Sequence, residues 1–255
     1  MKPGDFSDLA QDYANFRPGY SGDICRALLG LVDKPAAKVA AADVGAGTGI
    51  WTRTLHAAGC RQLRAVEPND EMRAQGVAQS RDMGIDWQAG SGEETGLASD
   101  LLDLLTMASS FHWTDEVTAM AEFHRVLQPG GWFAALWNPR KIEASPLFVE
   151  IEETLNKIVP DLDRLSSGRS KFAKGLSDRM TAAEGWGRPA YLEGLHVECM
   201  SRERYLGIWR SVNDVQQQAG PVRFQKFLDY LNERLSEIPE IEAVYQTRVW
   251  AIQRL

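Results

Sequence analysis

Gly45, Gly47 and Gly49 lie in ADVGAGTGIWT, residues 42 to 52, where an apolar run carrying Asp43 passes through a tight turn into a helical pattern. Glycines in such a turn let backbone amides approach a ligand at a helix amino terminus. In a parallel sheet, the mouth beyond a strand's carboxyl end is where cofactors bind. A dinucleotide fingerprint starting at Gly45 needs glycine at position 50, which is Ile50, and no Gly-Lys-Ser/Thr follows to make a phosphate loop. The next apolar run, LRAVE, ends in Glu67, about 20 residues further on, where a carboxylate can accept hydrogen bonds from both hydroxyls of a ribose. A third chemical group is His112, between Phe111 and Trp113, after another apolar run. Its imidazole can take a proton near neutral pH, or line the pocket and orient a substrate. His56, His124 and His196 lack ligand spacing, so no metal is expected.

Positioning these groups requires strands alternating with helices. KVAAADV (38 to 44), LRAVE (63 to 67), IDWQ (85 to 88), LLDLLTM (101 to 107) and WFAALWN (132 to 138) read as strands, with helices at 50 to 58, 70 to 81 and 115 to 127. In HRVLQPGG, Pro129 stops a helix, and Gly130 with Gly131 permits a turn into the fifth strand. Residues 145 to 185 break the rhythm: an amphipathic piece, then a basic serine- and glycine-containing segment. Residues 191 to 200 alternate as a strand, 203 to 217 and 221 to 236 have helical spacing, and 242 to 255 read as a final strand. The expectation is an α/β domain over residues 1–255, with a helical cap (1–35), a cofactor-binding core (36–140), a lid insertion (141–188) and completing elements (189–255).

The set of Asp43, Gly45, Gly47, Gly49 and Glu67 resembles the class I S-adenosylmethionine-dependent methyltransferases. AGSGEE (89 to 94), MASSFHWTD (107 to 115) and EFHRVLQPGG (122 to 131) follow in the order of that family. YANFRPGY (13 to 20), SFHWTD and LWNPR (136 to 140) resemble its small-molecule branch, which includes trans-aconitate methyltransferase-like proteins. The resemblance implies a Rossmann-like sheet of about seven mostly parallel strands with helices on both faces and a helical lid. It implies S-adenosylmethionine as cofactor, S-adenosylhomocysteine as its product, and a small organic acceptor. By resemblance Gly45 and Gly47 approach the methionine and ribose part, Asp43, Ala46, Gly49 and Ser109 also belong to the cofactor site, and Glu67 holds the ribose. Pro68 and Met72 flank the adenine, and Ser91, Gly92 and Glu93 read its edge; Ser91 stands where many members carry aspartate. Tyr13 and Arg17 close over the methionine carboxylate, which suits arginine's planar fork.

For the acceptor, Trp113, Trp137 and Trp186 offer walls, and Asn138 and Arg140 polar contacts. His112 is the tentative catalytic residue. Trp51, Trp87, Trp132, Trp209 and Trp250 are expected in the core. Within the insertion, Arg164, Arg169, Lys171, Lys174 and Arg179 outnumber Asp161, Asp163 and Asp178, so Arg169 and Lys171 are expected to engage an anionic acceptor; a solvated surface face explains the same charges.

The 28 basic and 35 acidic residues give a net charge of −7, which argues against a phosphate-backbone partner. No apolar run approaches a membrane span, and Cys25, Cys60 and Cys199 lack redox or zinc spacing, so a reduced cytoplasmic protein is expected. A nucleic-acid methyltransferase and a non-catalytic cofactor-binding protein are the alternatives; oligomeric state is not legible.

Overall fold

The structure is a computed structural model that describes residues 10–163 and 171–255. Five strands come first: β1 (Ala40–Val44), β2 (Gln62–Val66), β3 (Asp86–Gln88), β4 (Leu102–Ala108) and β5 (Leu127–Trp137). Two longer ones follow, β6 (Ala190–Ser201) and β7 (Glu240–Gln253). They form one sheet in the order β3-β2-β1-β4-β5-β7-β6. The first five run parallel, while β7 is antiparallel to both β5 and β6. The order reverses at β1, so the turns leaving β1 and β4 open on a common crevice.

Helices α1 (Ala10–Phe16), α2 (Gly22–Leu29), α3 (Ile50–Ala57), α4 (Asp70–Gln79) and α5 (Glu116–Val126) accompany the parallel strands. Local chemistry sets their starts: Asn69 accepts from the Met72 N–H at 2.9 Å to cap α4, and Asp115 accepts from the Thr118 N–H at 2.9 Å to cap α5. One sheet face buries Leu28, Trp51, Leu55 and Leu136. The other buries Phe111, Phe123, Phe133 and Trp137. A sheet covered on both faces explains why β1 and β4 read as continuous apolar runs.

Residues 127 to 131 differ from the expected turn. β5 already begins at Leu127, and its register against β4 shifts between Leu102–Leu127 and Leu104–Trp132. Gly130 takes φ +83°, and a Cβ on Gly131 would lie 2.9 Å from the Leu102 carbonyl oxygen, so both glycines serve an irregular ladder.

Helices α6 (Pro146–Ile158), α7 (Leu176–Ala182), α8 (Arg202–Arg210) and α9 (Asn213–Arg234) complete the chain. Phe148, Ile151 and Leu155 of α6 pack with Tyr205, Trp209, Phe227 and Leu231 into a cap. The α7 residues Leu176 and Met180 are instead buried in the sheet cluster with Phe111 and Trp250. The insertion is thus shared between a cap and a sheet face. Helix α9 is kinked at Gly220, whose φ of 69° and ψ of 168° separate its two halves before Pro221.

Candidate functional site

The loop leaving β1 carries Gly45, Gly47 and Gly49 at φ +66°, +57° and +78°, all in the left-handed region. Its first amides are tied to the neighbouring strand, with Gly45 N–H and Ala46 N–H donating to the Val66 carbonyl at 2.8 and 3.1 Å. A Cβ at Gly45 would sit 2.7 Å from Ser110 Cβ, and one at Gly47 3.3 Å from Met72 Cε. Only glycine keeps this floor clear.

Glu67 follows β2 and turns its carboxylate under the loop, accepting Gly47 N–H at 2.7 Å on Oε2 and Asn69 N–H at 2.9 Å on Oε1. Each oxygen retains acceptor capacity. Burial pushes its pKa up, opposed by those two backbone bonds and by Arg73. On the far side, Ser109 leaves β4 at φ +56°, and its hydroxyl lies 3.0 Å from the phenol of Tyr20. Arg17 stacks over the Tyr13 ring at 4.7 Å and donates from Nη2 to the Ser211 carbonyl at 2.9 Å, while its buried Nε has no partner.

These groups wall one cavity of about 770 Å³. Of the residues expected at the cofactor, Tyr13, Arg17, Gly45, Ala46, Gly47, Glu67, Pro68, Met72, Ser91, Gly92, Glu93 and Ser109 line it. Ser91 Oγ accepts from the Glu93 and Glu94 amides, each at 3.2 Å, so its free capability is the O–H donor. Asp43 does not line the cavity. It is buried beneath the loop, accepting from Thr52 Oγ1 at 2.6 Å and lying 3.5 Å from Thr106 Oγ1. Gly49 is also behind the wall, as the left-handed cap of α3 against the Trp87 ring. Both support the loop from outside the cavity.

The opposite end of the cavity departs further from expectation. Trp113, Asn138 and Arg140 line it. His112 and Trp137 do not: Trp137 is core, and its Nε1 donates to His112 Nδ1 at 3.3 Å. The remaining imidazole proton is therefore on Nε2, which is buried without a partner. Burial pushes the His112 pKa down to about 4, against an opposing pull from Asp214. A neutral ring packed against Trp113, Trp137 and Phe172 is not placed to serve as a base at neutral pH. Trp186 packs with Phe133 and His124 in the core, away from the cavity. Arg164 and Arg169, and the side chain of Lys171, lie outside the described residues.

Several wall residues were not foreseen. Tyr20, Thr48 and Asn69 join the half beside the glycine loop, and buried Trp51 and Trp209 reach the cavity as well as the core. Glu152 of α6, Ile208 of α8, Asn213, Asp214, Gln217 and Gln218 of α9, and Tyr245 of β7 enclose the far half. The one sequence signal for the α9 group is its run of polar residues at i, i+1, i+4 and i+5, a polar helix face that in isolation reads as solvent-facing. Arg140 is held between three rings, 5.0 Å from Phe148, 5.2 Å from Tyr205 and 5.0 Å from Trp209. It donates to the Tyr205 hydroxyl at 2.5 Å and pairs with Glu152 at 3.3 Å. Among the described residues, no group of three or more His, Cys, Asp and Glu could hold a metal ion, and no helix is long and apolar enough to cross a membrane.

Residues 42–135 match the family model for a methyltransferase domain. An uncharacterised methyltransferase-like protein of Schizosaccharomyces pombe is 25% identical over 218 residues, 83% of this chain and 81% of the relative. The ubiquinone/menaquinone biosynthesis C-methyltransferase of Rubrivivax gelatinosus is 39% identical over 95 residues, 37% of each chain. Three mycobacterial methyltransferases, uncharacterised, are matched over about half their length, 52%. In fold, the chain resembles a proposed type II methyltransferase from Anaeromyxobacter dehalogenans, with a TM-score of 0.66 at 21% identity, covering 92% of this chain and 97% of that one. It also resembles geranyl diphosphate C-methyltransferase from Streptomyces coelicolor, solved with Mg²⁺, geranyl diphosphate and S-adenosylhomocysteine: TM-score 0.50, 13% identity, 91% of this chain and 77% of that one. The sheet order, the glycine loop and these likenesses agree.

Proposed function

We infer that this chain is an S-adenosylmethionine-dependent methyltransferase of the class I fold, that it methylates a small organic acceptor, and that the acceptor is anionic. The observation that carries the reading is one continuous cavity of about 770 Å³ running from the glycine loop and Glu67 to Arg140 and the cap. Its volume is in the range of small-molecule sites. The residues fit the cofactor: a floor that only glycine leaves open, a carboxylate with spare acceptor capacity, and a guanidinium with an unpartnered Nε. We assign Glu67 to the ribose hydroxyls, Arg17 to the methionine carboxylate, and Pro68, Met72 and the Ser91 to Glu93 turn to the adenine. S-adenosylmethionine supplies a methyl group activated by its positive sulfur. The protein's part is then chiefly alignment and exclusion of water.

The anionic acceptor is supported by Arg140, a guanidinium in the far wall made rigid by three aromatic rings and by its pairing with Glu152, with its buried Nε left without a partner. It is supported too by the withdrawal of His112, since a carboxylate nucleophile has no proton to lose and needs no base. The free Cys25, Cys60 and Cys199 suit a reduced, cytoplasmic setting.

The test is calorimetric titration with S-adenosylhomocysteine, followed by turnover of labelled S-adenosylmethionine against paired carboxylic acids and their neutral amides. The wild type should bind, and Glu67→Ala should weaken binding by about 1.5 to 3 kcal/mol for each charged hydrogen bond lost. Acids should be turned over in preference to amides, and Arg140→Gln should raise their KM. Unaltered affinity in Glu67→Ala would remove the ribose assignment, and preference for the amides would remove the anionic acceptor.

A further inference from the structure

The segment Arg17-Pro18-Gly19-Tyr20 joins α1 to α2, and the backbone N–H and carbonyl of its Gly19, which belong to successive peptide groups, are both held by side chains from the sheet. Glu198 Oε1, on β6, accepts the Gly19 N–H at 3.1 Å. The Gly19 carbonyl accepts from Asn138 Nδ2, just past β5, at 2.7 Å, and lies 3.1 Å from His196 Nε2 on β6. A carbonyl only accepts, so the His196 proton is on Nε2, leaving its buried Nδ1 without a partner. Thr247 of β7 completes the grip: Ser21 N–H donates to its Oγ1 at 3.0 Å, and its hydroxyl donates to Asn138 Oδ1 at 2.8 Å. Glu198 is itself steadied by Arg204 at 3.1 Å.

The residues flanking this peptide are the ones that enter the cavity. Arg17 and Tyr20 both line it, and Tyr20 reaches across to Ser109. His196 and Glu198 do not line it, and they belong to the sheet's edge strand. Asn138 spends one amide hydrogen and its carbonyl oxygen on the grip, which gives this wall residue a duty besides facing the ligand. Pro18 restricts the segment further, fixing one backbone torsion beside the clamped peptide.

We propose that His196, Glu198 and Asn138 are positioning residues for cofactor binding, which fix the Gly19 peptide and thereby hold Arg17 and Tyr20 as a preassembled wall opposite the glycine loop. This rests on the cofactor reading above. Affinity at the cavity then depends on an edge strand that does not touch the ligand. When a binding-competent arrangement is only fractionally populated, the apparent Kd rises by the inverse of that fraction. A segment released from its clamp and closed about a tenth of the time would bind about tenfold more weakly.

The experiment measures the Kd for S-adenosylhomocysteine by calorimetry and amide hydrogen exchange of the free protein, on the full chain. The variants are His196→Leu, His196→Gln, Glu198→Ala and Glu198→Gln, with Val197→Ala on the exposed opposite face of β6 as control. His196→Leu and Glu198→Ala should each raise the Kd about tenfold and speed exchange at the clamped amides of Gly19 and Ser21 while β1 and β4 keep their protection. The two glutamine variants, which keep a donor at 196 and an acceptor at 198, should restore affinity to near the wild type, and Val197→Ala should match it. Wild-type affinity in both His196→Leu and Glu198→Ala would overturn the proposal. So would weakened binding with faster exchange throughout the sheet, which marks a merely structural role. Wild-type protein that fails to bind S-adenosylhomocysteine would overturn the cofactor reading itself, and this inference with it.

Discussion

Asp43 shows how a residue can serve a site from behind it. Its carboxyl group is fully buried, and burial pushes its pKa up to about 7, with Glu67 adding to the rise and hydrogen bonds from Thr52 and Thr106 opposing it. In the unfolded chain the value is about 3.9. The folded state therefore binds more protons between about pH 4 and 7, so this group's contribution to stability is fully present below pH 4 and is lost as pH rises through 7. Asp43→Asn keeps an acceptor for Thr52 without the ionisation. The variant should gain melting temperature relative to the wild type as pH rises from 4 to 8, and the difference should level off above 7. Parallel melting curves for the two proteins across that range would show that Asp43 does not titrate there.

At the scale of elements, Trp87 of β3 sets the packing of α4 and of the α3 cap together. A Cβ at Gly76, within α4, would lie 2.1 Å from the Trp87 ring, and one at Gly49 2.9 Å. Helix propensity alone favours alanine over glycine at an interior position by about 1 kcal/mol. Overpacking against a fixed ring costs about 1 to 3 kcal/mol, so the clash should win at Gly76. Gly76→Ala should be destabilised in urea unfolding, and the loss should shrink when Trp87→Leu is added. A stabilised Gly76→Ala protein would mean that the ring yields freely. The glycine at 76 was invisible to periodicity because nothing in α4's own residues says that a tryptophan from β3 lies against it.

At the scale of the molecule, the cavity is walled by parts that pack in separate clusters. The loops after β1, β2 and β4 belong to the sheet, whereas Ile208, Trp209 and the first half of α9 belong to the cap. A ligand spanning the cavity should slow amide exchange in both. With S-adenosylhomocysteine present, protection is expected to rise over residues 45–48 and also over 208–218, and binding to the native state alone should raise the melting temperature. Protection confined to the glycine loop and Glu67 would show that the cap closes only around the acceptor.

The half of the cavity around the glycine loop was legible in the chain alone. Gly45, Gly47, Gly49 and Glu67 sit at fixed distances from strand ends, and strand ends are set by local alternation and turn chemistry, so a parallel order was enough to bring loop and acid together. The irregular start of β5 reads as a turn in the chain alone, because Pro129, Gly130 and Gly131 have turn chemistry and only their bonds to Arg254, just past β7, draw Gly130 and Gly131 into the ladder. Tertiary structure decided the far half. Whether an aromatic or imidazole ring faces a cavity or a core depends on what covers it: Phe172 and Trp137 close over His112, and α6 and α8 place Arg140 in a wall of rings. Those contacts join residues far apart in sequence, and burial against a distant partner leaves no period in the chain that makes it.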